Sequence, residues 1–189
     1  MLGGQADGRQ ITVLCGVGNN GGGGMVAARH LHNMGAQVSA VLASDSDRLK
    51  EVPAHQWSIL RAIHLNRANF DLEASALILD ALLGYGAKGD PRLPIRDWIE
   101  RANASAIPIL SLDSPSGLDT TSGNPSQPCI RAEATMTLAL PKTGLFASQA
   151  NPFVGELYLA DIGVPPKLYR EIGIDVDPLF LEGPIIRLE

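Results

Sequence analysis

Short apolar, β-branched runs alternate along this chain with longer stretches whose apolar residues recur at helical intervals, the order of an α/β domain. Ile11-Thr12-Val13-Leu14-Cys15 reads as a strand buried on both faces, and Met25-Val26-Ala27-Ala28-Arg29-His30-Leu31 as the helix after it. That helix closes at Asn33-Met34-Gly35, with Gly35 as a left-handed cap. Gln37 to Ala43 is a second strand at βαβ spacing, and Pro53 to Ala62 is an amphipathic helix with Trp57, Leu60 and Ile63 on one side. Ile63-His64-Leu65 reads as a very short strand. Ala76 to Leu83 is the third major strand, Pro91 to Asn103 a helix around Ile95, Trp98 and Ile99, and Ile107 to Asp113 the fourth strand. Ala134 to Leu140 and Gly155 to Asp161 follow as strands, Pro165-Pro166 opens a short helix, and Asp175 to Leu181 is expected to pair at a sheet edge. Parallel strands should dominate such an order.

The connection after the first strand changes the picture. Cys15-Gly16-Val17-Gly18-Asn19-Asn20-Gly21-Gly22-Gly23-Gly24-Met25 reads as a glycine loop at a strand-to-helix turn, free to take positive φ and without Cβ atoms to keep a ligand away. The first N–H groups of the helix should face that ligand, and phosphate is their natural occupant. Gly16, Gly18 and Gly21 satisfy G-x-G-x-x-G, with Asp45 after the next strand roughly where a ribose-binding acid lies in a dinucleotide fold. The bland alternative is a turn whose glycines only let the helix pack on the sheet. The Asn19-Asn20 pair adds amide donors and acceptors beside the cradle.

Two strands end in acids, Asp80 and Asp113, and ligands of open α/β sheets collect at strand carboxyl ends. The loop Gly84-Tyr85-Gly86-Ala87-Lys88-Gly89-Asp90 should face the same crevice, where Lys88 would contact phosphate or exchange a proton. For either acid alone, the bland alternative is a cap of the following turn or helix. The histidines, His30, His32, His55 and His64, show no ligand-like clustering with carboxylates or cysteines.

Composition narrows the function classes. A chain of 189 residues, 45% of them hydrophobic, supports a single domain with one core. Net charge is −5 with no dense basic cluster, so nothing favours nucleic acid bound through its phosphates. Cys15 and Cys129 are too few and too differently placed for a disulfide framework, which points to a reducing, cytoplasmic setting. No run has the form of a signal peptide, and the most apolar stretch, Ala74 to Leu83, is short and interrupted by Asp80, so neither export nor a membrane span is expected. A polar lead-in, Met1 to Gln10, reaches the first strand almost at once.

Gly18-Asn19-Asn20-Gly21-Gly22, Asp80-Ala81-Leu82-Leu83-Gly84 running to Lys88-Gly89-Asp90, Asp113-Ser114-Pro115-Ser116-Gly117-Leu118-Asp119 and Leu140-Pro141-Lys142 together resemble the YjeF N-terminal family of NAD(P)H-hydrate epimerases, from Ile11 to about Glu182. The resemblance implies a three-layer α/β/α, Rossmann-like domain, usually a homodimer, that interconverts the R and S epimers of hydrated NADH or NADPH for a dehydratase partner. Asn19, Asn20, Gly21, Gly22 and Gly23, with Gly84, Tyr85, Gly86, Ala87, Lys88, Gly89 and Asp90, would bind the substrate, and Asp113 would lie beside the hydrated ring. Asn20, Asp80 and Ser116 look like ligands of a potassium ion, which their oxygen donors suit. Epimerising a carbinolamine by departure and return of hydroxide needs a proton shuttle, for which Asp113 and Lys88 are the candidates. The chain departs from the family in carrying Gly23 where the loop usually has aspartate, and in lacking helices before the first strand. A non-catalytic nucleotide-binding or scaffolding module of the same fold is the alternative.

Overall fold

The computed structural model describes residues 5–66, 71–176, 179–181 and 183–188. Its framework is one seven-stranded sheet in the order β2-β1-β3-β4-β5-β6-β7, where β1 is Gln10–Cys15, β2 Gln37–Leu42, β3 Leu77–Ala81, β4 Ile109–Leu112, β5 Ala134–Leu138, β6 Glu156–Ala160 and β7 Ile185–Leu188. The first six strands run parallel and β7 pairs antiparallel with β6, Ala160 opposite Ile185. The connecting helices are α1 (Asn19–Asn33), α2 (Glu51–Ala62), α3 (Ile95–Ala104), α4 (Asn151–Val154) and α5 (Pro166–Glu171).

The period-two geometry of β1 explains the layers. Val13 and Cys15 face Met25 and Ala28 of α1 and Leu60 of α2 on one side, while Leu14 joins Ile78, Ile99 and Ala102 on the other, with α3. Helices therefore cover both faces, giving an α/β/α sandwich. Full burial of a side chain such as Leu14 or Ile99 contributes about 1.5–3 kcal/mol. A third cluster, Leu118, Cys129, Leu145, Ala150, Val154 and Leu157, closes the β5–β6 side.

Strand order reverses direction between β1 and β3, which opens a crevice at their carboxyl ends. Helix α1 starts there. It begins at Asn19, so Gly21 to Gly24 form its first turns instead of a loop, and none of the four has positive φ. What demands glycine is close approach. A Cβ on Gly21 would stand 1.9 Å from Gly16 O, and one on Gly24 2.5 Å from Ala81 Cβ, so the helix could not lie this near the sheet. The packing explanation thus accounts for these two glycines.

Other elements also shifted. Ile63-His64-Leu65 is a turn with His64 at φ 58, and the pairing falls one residue later, as an isolated bridge between Asn66 and Ala40. The third helix starts at Ile95 and not at Pro91, because Pro91 and Pro94 lack the N–H groups a helix interior needs. The edge strand is Ile185–Leu188, whereas the described residues of 175–181 form no strand. Gly35 is left-handed at φ 88, as its position after α1 predicted.

Candidate active site

Three chain segments meet at the crevice: the start of α1, the loop after β3, and the turn after β4. Asn20 joins all three. Its Nδ2 donates to Leu83 O at 2.8 Å and to Leu112 O at 3.1 Å, and Gly84 lies between it and Asp113, with room for a Cβ only 3.0 Å from Asn20 Cβ and 3.2 Å from Asp113 Oδ2. The amide oxygen of Asn20 has no donor among the described residues. Gly18 caps α1 without any side-chain hydrogen bond, and no acid sits in the first turn, so the leading N–H groups of a 15-residue helix stay open to an anion.

Asp80 ends β3 in complete burial. Oδ1 accepts from Ser116 Oγ at 2.6 Å and Leu82 N at 3.2 Å, and Oδ2 from Ser111 Oγ and Ser116 N, both at 2.9 Å. Burial pushes its carboxyl above the ordinary value, and the hydrogen bonds from Ser116, Ser111 and Leu82 pull back against that rise. Among the described residues no Lys, Arg or His pairs with it. Ser116 Oγ also accepts from Leu83 N at 2.9 Å, so Asp80, Ser116, Leu83 and Asn20 form one connected cluster. Two hydroxyls and two backbone N–H groups donate to this buried carboxylate, and the oxygens nearby, Asn20 Oδ1 and Ser116 Oγ, are the hard, neutral kind that suits a monovalent cation. Such a set does not suit a transition metal, and among the described residues no three His, Cys, Asp or Glu side chains gather as a metal set.

Asp113 follows β4 in the left-handed region, φ 69, a conformation costing a non-glycine residue about 1–3 kcal/mol. That turn swings its carboxylate into the crevice, where Oδ2 accepts from Tyr85 N at 3.0 Å and Oδ1 from Lys142 Nζ at 2.7 Å. Lys142 and Asp113 are 20% and 9% exposed in their side chains, a pair shielded from solvent on most sides.

Lys88 is elsewhere. It is exposed, and its charge helps, after the hydrogen bonds from Ser122 and Thr121, to hold the Asp119 carboxyl below its ordinary value. The rest of its loop is tied down across the turn after β4: Asp90 Oδ1 accepts from Gln127 N at 2.9 Å, Gly89 O from Ser126 Oγ at 3.1 Å, and Tyr85 O from Thr120 Oγ1 at 3.4 Å. Gly86 has open space around it, and Ala87 N donates back to Gly84 O at 3.0 Å. Tyr85 stands exposed with its ring 5.9 Å from Lys142 Nζ. Asp45 is an exposed cap of a short 3-10 turn. Both cysteines are buried and their thiols pushed up to about 12, chiefly by that burial, which removes them from thiolate chemistry.

The structure thus gathers Asn20, Asp80, Gly84, Tyr85, Asp113 and Ser116, leaves Lys88 at the rim, and adds Lys142, Thr137 and Ser111, which residue-type reasoning did not single out. Leu140-Pro141-Lys142 marked the neighbourhood, but nothing in its composition shows that the chain turns back there.

The chain is similar to known proteins along most of its length. The family model described as YjeF-related protein N-terminus matches residues 1–144. An NAD(P)H-hydrate epimerase of Dehalogenimonas lykanthroporepellens is 38% identical over 192 residues, covering 100% of this chain and 76% of its own. A bifunctional NAD(P)H-hydrate repair enzyme of Salinibacter ruber is 38% identical over 174 residues, and that match covers 82% of this chain but 32% of the larger protein. A yeast crystal structure superposes with a TM-score of 0.77 at 24% identity, over 98% of this chain and 79% of the other, which shows the fold. No helix among the described residues is long and apolar enough to cross a membrane. With more than half of its length inside the family model and a close relative spanning all of it, this chain belongs to the YjeF-related N-terminal family.

Proposed function

We propose that this chain is an epimerase that interconverts the R and S forms of hydrated NADH and NADPH, a step in nicotinamide nucleotide repair. The observation that carries the reading is Asp113, a shielded carboxylate fixed by Tyr85 N and Lys142 at the mouth of an uncapped helix, in a chain 38% identical to a named NAD(P)H-hydrate epimerase. The open N–H groups of α1 suit the substrate's phosphates. In this reading Asn19, Asn20 and Gly21 to Gly23 act through the backbone of the first turns of α1, Gly21 and Gly22 being themselves buried in the packing of the helix, and the Gly84–Asp90 loop contributes the exposed Tyr85 ring as a flat surface for the hydrated ring. Epimerisation at a carbinolamine carbon breaks the C–O bond as the ring nitrogen lone pair forms an iminium, the departing oxygen taking a proton to leave as water, and water adding to the other face gives that proton back. Asp113 Oδ2, the oxygen beside Gly84, is the atom placed to donate it as the acid and recover it as the carboxylate. Lys88 serves this reading as a rim cation toward phosphate.

Potassium is part of the proposal. Asn20, Asp80 and Ser116 would hold it, and the ion would supply the positive charge that buried Asp80 lacks. The reading also carries a cytoplasmic homodimer and a dehydratase as functional partner. Relatives named bifunctional repair enzymes support that partnership, and this chain spans about a third of their length.

The test starts from one purified epimer, followed by chromatography as it converts to the other, beside a protein-free blank because the epimers also interconvert spontaneously. A rate above the blank is expected. A rate equal to it would leave a binding or scaffolding module.

A further inference from the structure

Lys142 is the least expected member of the site, and its hydrogen bonds define what it can do. After β5 the chain takes a left-handed turn at Ala139, φ 65, closed by Leu140 N on Leu138 O at 2.8 Å. The turn brings the Lys142 ammonium back under the end of its own strand, where it donates to Leu138 O at 2.9 Å and to Thr137 Oγ1 at 3.0 Å. Its remaining bond goes to Asp113 Oδ1 at 2.7 Å. An ammonium has three N–H donors. All three are spent on acceptors the fold holds still: a backbone carbonyl, the hydroxyl of fully buried Thr137, and the carboxylate. Such a group offers a fixed charge and has no donor left for a ligand.

Asp113 leans on the same strand twice. Its N–H donates to Met136 O at 2.8 Å while its side chain reaches Lys142, so the ends of β4 and β5 are locked to each other by main chain and side chain together. With Oδ1 engaged by Lys142 and Oδ2 steadied by Tyr85 N, the carboxylate plane has one orientation, and Oδ2 is the oxygen turned to Gly84 and the crevice.

We infer that Lys142 is a positioning residue for the epimerisation: it stays off the substrate and fixes the orientation of the Asp113 carboxyl group, so that Oδ2 gives its proton to the departing ring hydroxyl and takes it back when water adds, while Thr137 steers Lys142. This inference rests on the epimerase reading above and deepens it. A lysine that instead bound substrate phosphate would govern affinity. One that positions Asp113 governs the chemical step.

Lys142→Met and Lys142→Arg, assayed for kcat and KM on one purified epimer, separate the two. Lys142→Met should lower kcat about 10²-fold, the lower end of what a general acid–base group supplies, with KM within about twofold of the parent. Lys142→Arg should recover part of kcat, because the charge returns without the compact three-donor head. A raised KM with kcat intact would overturn the inference. If Lys142→Met does not fold, Thr137→Val decides, since it keeps the shape and removes only the steering hydroxyl: a kcat lowered about 2–10-fold, the value of one hydrogen bond, is expected, and parental kcat overturns the role. A parent protein that never exceeds the blank sinks the epimerase reading itself. The clamp is then read by nitrogen-15 NMR of the lysine ammonium groups. A slowly exchanging Lys142 resonance that moves in Asp113→Asn shows the clamp, and its absence removes the basis of the inference.

Discussion

Asp80 and Asp113 end neighbouring strands of one sheet, yet their surroundings differ in every respect that decides chemistry. Asp80 is fully buried, with four donors on its oxygens and, among the described residues, no cationic side chain beside it, so it presents no free oxygen to a substrate in the crevice. Asp113 is twisted out of the strand by its left-handed backbone, pinned on one oxygen by Lys142, and turned by the other toward a crevice. The difference teaches that position at a strand end gives an acid access only in outline. The neighbours that saturate or pin its oxygens decide whether it holds structure or moves protons.

The largest effect should fall on Asp113. Asp113→Asn keeps the size of the side chain and removes its capacity to exchange a proton at neutral pH, which costs about 10²–10⁴-fold in epimerisation rate. Stability should fall too, because Lys142 loses its charged partner, by about 1.5–3 kcal/mol for a hydrogen bond to a charged group. A variant that turns over at the parent rate would put the chemistry elsewhere, with Lys88 next to be changed.

Asp80 should respond in the opposite currency. Asp80→Ala strands the hydroxyls of Ser111 and Ser116 and two backbone N–H groups in the core, and a loss of about 3–5 kcal/mol is expected, at the upper end for a single substitution. Urea titration measures it. A change below about 1 kcal/mol would mean that water or rearrangement satisfies those donors, contrary to the sealed geometry.

The alternation of strands and helices, the dominance of parallel pairing and the burial of the sheet on both faces were legible from β-branched runs and helical spacing, because burial on two faces leaves a strong pattern at Ile11–Cys15 and Ile78–Leu79, whereas the spatial order of the strands was not. The two strand-end acids and the Asn20 contact region were legible for the same reason: a parallel sheet delivers its loops to one end. The role of the glycines was not. Composition cannot distinguish a glycine that bends backward from one that lets a helix touch a strand, and Gly21 and Gly24 do the second. Nor was the role of Lys142 beside Asp113 legible, although Leu140-Pro141-Lys142 stood out as a motif, since its reach depends on Ala139 at φ 65, a conformation alanine rarely announces.

The glycine run sharpens the same contrast between sealed and open ends at a smaller scale. Gly21→Ala puts a Cβ 1.9 Å from Gly16 O and should destabilise by about 1–3 kcal/mol or more through forced backbone movement. Gly18→Ala meets nothing within 4 Å at φ −88 and should leave the melting temperature unchanged, so any weakening of nucleotide binding there reports the ligand and not the fold. Equal melting temperatures for the two variants would contradict the close approach of α1.

The smallest effect is the most specific to Asp80. Burial raises its carboxyl above the ordinary value, so the folded state holds that proton more tightly than the unfolded chain does. This contribution to stability is therefore fully present below the unfolded carboxylate range, about pH 3.9, and is lost as pH rises through the raised folded value. A potassium ion on Asn20, Asp80 and Ser116 binds the ionised form and opposes that loss. Potassium at ten times its dissociation constant should add about 1.4 kcal/mol at neutral pH, from the mass-action relation for a ligand bound only by the folded state. The gain should shrink toward zero as Asp80 becomes protonated. Thermal melts in potassium and in tetramethylammonium at equal ionic strength, across the acid-to-neutral range, read the difference directly. Melting temperatures that coincide at every pH would leave Asp80 a hydrogen-bonded strut without an ion, and a difference that persists unchanged into acid would place the cation on some other group.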